Sequence, residues 1–148
     1  MERAENAGIE AVYIPRGGEF EAKLTELLDK KGIDIIVLAG FLSILSADFV
    51  RKYDKRIINV HPSLIPSFCG DGFYGLRVHE AALQKGVKIT GATTHFVNEI
   101  TDGGEIIMQK AVEVSQDDTP ETLQKKVMQE AEWIILPLSV EKVCRERN

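Results

Sequence analysis

At 148 residues the chain has the length of one domain, with enough apolar material to bury a core. Its composition, 44% apolar and 28% charged, argues against disorder, and a net charge of −5 makes nucleic acid a poor principal partner. No apolar run reaches membrane-span length and no signal-peptide pattern opens the chain. Cys69 and Cys144 fit no zinc or CxxC spacing, as expected of a protein kept reduced in the cytoplasm.

In chain order, "ERAENAG" reads as a helix tail closed by Gly8, and "IEAVYIP" as a strand. Phe20, Leu24, Leu27 and Leu28 then make the apolar stripe of a helix from Glu19 to Lys31, stopped by Gly32. "IDIIVLAG" is apolar enough for a strand covered on both faces. Ser46 is placed to cap a helix through Tyr53, with Asp48 in its first turn. "RIINVH" is a second buried strand, and after a Gly-rich loop "LRVHEAALQKG" is a helix ending at Gly86. "VKITGATTHFV" and "EIIMQKAVEV" read as strands around "NEITDGG", in a longer hairpin-like unit. Thr119 and Pro120 open a long helix to about Arg145, with a kink expected at Pro137. This alternation predicts an α/β domain with a mostly parallel sheet, its ligands at the carboxyl ends of the strands.

The polar residues are then weighed one by one. In "RIINVHPSLIPSF", strand alternation points Asn59 and His61 to one face and Ile58 and Val60 to the other. Imidazole changes protonation near neutral pH and an amide can donate to a developing oxyanion, yet the pair alone fits a strand end better than a site. Asp102 in "TDGG" is first a turn residue and second a carboxylate able to hold a histidine cationic. His79 reads as part of an exposed helix face, and His95 equally as a structural or a site histidine. Gln129 and Glu132 share a helix face whose simplest reading is solvation. The three histidines lack metal-ligand spacing, "CGDGFYG" is weak evidence for phosphate, and neither Ser63, Ser67 nor Cys69 has a nucleophile motif.

Together, "VLAGFLSILS", "INVHPSLIPSF", "VHEAALQKGVKITGATTHFV" and "TDGGEIIMQ" resemble the phosphoribosylglycinamide formyltransferases, folate-dependent enzymes of purine synthesis. The resemblance implies a Rossmann-like formyltransferase fold and formyl transfer from 10-formyltetrahydrofolate to the amine of glycinamide ribonucleotide, without a metal. It matches Asn59, His61 and Asp102 to the family's catalytic trio. It assigns Phe41, Leu42, Ser43, Ile44 and Leu45, with Asn98, Glu99, Ile100 and Thr101, to the folate pocket. Ser43 stands where many members have Arg. Pro62, His95, Gln129 and Glu132 match positions on the nucleotide side.

The resemblance also implies an opening strand, a phosphate-binding loop, a helix and a strand that this sequence does not contain. The expectation is therefore one N-terminally truncated formyltransferase domain over residues 1–148, either impaired in phosphate binding or completed by a second copy in a homo-oligomer. Formyltetrahydrofolate deformylase, with the same trio, and a non-catalytic folate-binding fragment are the competing readings.

Overall fold

The computed structural model describes residues 2–41 and 43–147, which form two compact units, 1–33 and 34–148. The first unit holds α1 (Glu2–Asn6) and α2 (Phe20–Lys31). Gly8 and Gly32 take the left-handed conformation that ends a helix at little cost, as anticipated. The strand expected over residues 9–15 does not form: the segment is extended, but among the described residues it has no ladder partner. A strand is defined by its pairing, and Ile9, Val12 and Tyr13 remain largely exposed.

The second unit is a four-stranded sheet in the order β1 (Ile36–Leu38), β2 (Ile57–His61), β3 (Ile89–Phe96), β4 (Ile106–Glu113). It is the α/β open sheet that was expected, but only β1 and β2 run parallel; β2–β3 and β3–β4 are antiparallel. The loop 62–75 and α4 (Leu76–Lys85) deliver the chain to β3 at the end where β2 leaves, so no parallel crossover is made there. A turn then returns the chain into β4, giving the hairpin unit the sequence suggested. β1 departs from its expected double coverage: it is three residues long, pairs on one side, and leaves Val37 40% exposed.

Helix starts follow their capping residues. Ser46 accepts from the Phe49 amide and opens α3 (Ala47–Lys52). Thr119 and Thr122 cap each other reciprocally ahead of α5 (Pro120–Val127), with Pro120 in its first turn. The expected kink at Pro137 is not the main irregularity. A π-helical turn, Met128–Glu132, separates α5 from α6 (Trp133–Arg147), and Pro137 lies inside α6. Proline removes an amide donor and crowds the carbonyl one turn earlier, so the distortion develops on its N-terminal side.

The main core lies between one sheet face and the last helices. Ala92 and Val112 meet Leu123, Val127, Ala131 and Ile135, with Val60 and Met108 packed against them. Because side chains alternate, the opposite sheet face carries Asn59 and His61 from β2, and Thr93 and His95 from β3. Burial of the odd-numbered apolar face of β2's neighbours thus fixes which residues reach the candidate site.

Candidate functional site

Register sets the site's floor. Asn59 lies opposite His95 and His61 opposite Thr93 on the antiparallel β2–β3 pair, with Gln109 of β4 beyond Thr93. His61, Thr93 and His95 are all buried. Directly opposed strand residues stand within side-chain reach, which is why two polar rows form without further design.

Hydrogen-bond partners assign the ring protons. His95 Nδ1 lies 2.9 Å from the Phe96 carbonyl, so it donates there. Nε2 then accepts from Asn59 Nδ2 at 3.2 Å. His61 Nε2 lies 2.9 Å from the Phe68 carbonyl and must likewise donate. Its Nδ1 is 3.4 Å from Asp102 Oδ2, an ion-pair contact longer than a good hydrogen bond. With an acceptor facing each nitrogen, the His61 ring is set up to carry both protons.

Asp102 arrives from the β3–β4 turn. Asn98 braces that turn by accepting from the Ile100 amide at 2.9 Å and donating to the Gly103 carbonyl at 3.2 Å. Asp102 itself has a left-handed φ of 54°, and a Cβ on Gly104 would stand 1.7 Å from the Phe96 carbonyl. That close approach admits only glycine. The turn so formed aims Oδ1 at His95 Nε2 (3.5 Å) and Oδ2 at His61, while Oδ2 also accepts from the Gly70 amide at 2.9 Å. Burial opposes ionisation of Asp102, but contact with His95, the Gly70 amide and the nearby His61 outweigh it and hold the carboxyl below the ordinary range.

The structure thus brings together Asn59, His61, His95 and Asp102, three of them from the trio whose spacing in the chain carries no rule. Pro62 follows directly in the half-buried loop. Phe41, Ser43, Ile44 and Leu45 form the connection into α3, and Leu42 lies outside the described residues. Ser43 and Ile44 are exposed, as are Asn98, Glu99, Ile100 and Thr101. Arg51 of α3 bonds Glu99 at 2.7 Å, which ties the second of these segments to the helix that the first one leads into. Gln129 and Glu132 both fall in the π turn, one exposed and one half-buried. Among the described residues no hydrogen bond or ion pair links them to the trio. Burial pushes the Glu132 carboxyl up.

Two residues were missed or misread. His79, expected on an exposed face, is 1% exposed, and among the described residues neither ring nitrogen has a partner. Burial, with His61 nearby, lowers it to about 4. The signal was present, since Ala82 and Leu83 follow it at helical spacing. Thr93 went unremarked although period two puts it on the His95 face. Cys69 is an unpromising nucleophile: burial and Asp102 both raise its thiol.

Comparison with known proteins agrees with this geometry. Residues 2–140 match the family described as formyl transferase. The chain is 40% identical over 152 positions to the chloroplastic phosphoribosylglycinamide formyltransferase of Arabidopsis thaliana, covering 99% of this chain and 52% of that protein. It therefore spans about half the length of this relative. A solved phosphoribosylglycinamide formyltransferase from Anaplasma phagocytophilum superposes with a TM-score of 0.88 at 38% identity, over 97% of this chain and 67% of that one. A formyltetrahydrofolate deformylase from Pseudomonas syringae gives 0.81 at 29% identity, over 92% of this chain and 45% of that one.

Proposed function

Because the chain belongs to the formyl transferase family, we propose that it carries the reaction centre for formyl transfer from 10-formyltetrahydrofolate to the amine of glycinamide ribonucleotide. The observation that carries this reading is the convergence of Asn59, His61 and Asp102 on one buried cluster at the carboxyl end of β2. The substrate amine attacks the formyl carbon, and the carbonyl π electrons move onto the formyl oxygen. Asn59 has a second amide hydrogen beyond the one given to His95, and His61 Nδ1–H is only loosely engaged by Asp102. Those two donors stabilise the oxyanion, which in a water-poor site is the largest available contribution. The intermediate collapses by breaking its bond to the folate nitrogen. The proton lost by the amine passes to that nitrogen, with Asp102 as the relay base through water.

The exposed apolar side chains Ile44 and Ile100, 86% and 69% accessible, fit the flat face of a pterin, while the turn 98–101 offers backbone groups to its edge. Pro62, His95, Gln129 and Glu132 serve the nucleotide side in this reading. The reaction belongs to the cytoplasm, where the free thiols Cys69 and Cys144 stay reduced. Assembly is part of the proposal: β1 is the free edge of the four-stranded sheet, and a second copy adding there registers as a dimer in sedimentation.

The test is to incubate the purified chain with 10-formyltetrahydrofolate, with and without glycinamide ribonucleotide, and to measure formylated nucleotide and formate. Nucleotide-dependent transfer is expected. Formate release that ignores the nucleotide would move the assignment to a deformylase, and folate binding without either product would leave a binding fragment.

A further inference from the structure

His61 is held from a second side by a device that sits directly across the sheet from it. Thr93 is 0% exposed and its hydroxyl has every valence filled. It donates to the Ser63 carbonyl at 2.7 Å and accepts from the Ile65 amide at 3.1 Å and from Gln109 Nε2 at 3.0 Å. Gln109 spends its other amide hydrogen on the Ile65 carbonyl, 3.0 Å away. One donor and two acceptors is the full capacity of a hydroxyl, and two donors that of an amide nitrogen. The two strands therefore grip residues 63–65 of the loop at both polar groups of Ile65 and at one of Ser63.

The grip is passed on along the loop. The Ser63 hydroxyl donates to the Ser67 carbonyl, and the Ser67 amide donates to the Leu64 carbonyl at 3.0 Å. The next residue, Phe68, has a left-handed φ of 49°, uncommon for a side chain branching to a ring, and its carbonyl is the one that accepts from His61 Nε2. A backbone carbonyl can only accept, so as long as it stays in place Nε2 keeps its proton.

We propose that Thr93 is a positioning residue for the reaction: by anchoring residues 63–68 it holds the Phe68 carbonyl against His61, which fixes the proton on Nε2 and leaves Nδ1–H as the donor offered to the substrate. The inference rests on the formyl-transfer reading for its catalytic consequence, whereas its structural half stands on the ring proton alone. Neutral imidazole would otherwise choose between two tautomers, and only a ring with Nδ1–H can serve the oxyanion. Asp102 favours that proton from one side, and the clamp ensures that the second proton is held rather than exchanged with it.

The experiment uses the 148-residue chain labelled with 15N in its histidines, the His61 signals being identified by their loss in His61→Gln. In the unmodified chain a slowly exchanging Nε2–H and two protonated ring nitrogens are expected at neutral pH. Thr93→Ser, which keeps the hydroxyl, should retain both signatures. Thr93→Val, which removes it, should lose the protected Nε2–H and show a mixture of ring states. Its kcat should fall about tenfold or more with KM values little changed, the mark of a misplaced rather than missing group. Gln109→Met, at the accessible edge of β4, should shift the ring signature in the same direction by less, and it decides the matter if the valine variant does not fold. A protected Nε2–H that survives in Gln109→Met and in any folded Thr93→Val would overturn the proposal. If the unmodified chain shows the ring signature but no formyl transfer, the positioning survives and the functional reading is what fails.

Discussion

The floor of the site and its rim are made of the same chain but of different material. On the floor, Asn59, His61, Thr93 and His95 occupy facing positions of two antiparallel strands, and the three most buried of them have their polar atoms matched to named partners. On the rim, Ser43, Ile44, Glu99 and Ile100 sit on connections, exposed, and Arg51–Glu99 is a solvent-facing ion pair. A ladder holds side chains to a fraction of an ångström, as groups acting on a developing charge need. A connection can shape itself to a ligand, and its exposed apolar surface is completed by one. Chemistry belongs to the floor and fit to the rim.

That division can be broken in four ways, taken from the largest expected effect down. Substituting the floor, His61→Ala or Asp102→Asn, should lower kcat by about 10²–10⁴ while far-ultraviolet circular dichroism stays native. A result confined to KM would put these residues with the rim. Gly104→Ala forces a methyl onto the Phe96 carbonyl and should cost about 2–4 kcal/mol in urea unfolding, with the Asp102 turn displaced. An unchanged midpoint would show that the turn has slack and the floor is less rigid than drawn.

The third concerns His79, beneath the floor. Its proton affinity is lowered from 6.5 to about 4 by burial, so the unfolded chain takes up a proton that the folded chain refuses. Stability is then complete above pH 6.5 and is lost as the pH falls towards 4, by at most about 3 kcal/mol. His79→Leu should remove that acid dependence from the denaturation curve. Parallel pH profiles for the two proteins would mean His79 finds a partner when protonated. The smallest effect is expected at the rim: Ile44→Ser and Ile100→Ser should raise KM for the folate substrate several-fold and change stability by no more than about 0.5 kcal/mol. A fall in kcat equal to that of the floor variants would erase the distinction.

Much of the floor was legible because it obeys period two. Alternation in "IINVH" put Asn59 and His61 on one face and Val60 on the other, and Val60 indeed packs on the core. Asp102 was not legible from spacing, since its meeting with His61 depends on a left-handed φ and on backbone contact at Gly104, which are properties of a folded turn. Thr93 could be placed on a face but not valued, because the worth of its hydroxyl comes from the Ser63 and Ile65 backbone brought to it by the loop. The strand expected at residues 9–15 and the double coverage expected of β1 failed for a common reason. Apolar, β-prone sequence is only half of a strand, and the other half is a neighbour that no single segment encodes.

The π turn has a consequence for which changes of length the chain can bear. Leu123, Val127, Ala131, Ile135, Ser139 and Val143 are buried at a constant interval of four. Four residues overshoot an α-helical turn by about 40°, so five such steps would rotate the last of them to the far side of the first. The extra residue taken up by Met128–Glu132 cancels about half of that rotation. Deleting any one residue of the turn would restore ordinary helix and swing everything after it by about 100°. Ser139 would leave Thr94, 2.6 Å away across the core, and Ile135 would leave the cluster. Between residues 128 and 132 the constrained quantity is the number of residues more than their identity, and a single-codon deletion there should do more damage than most substitutions.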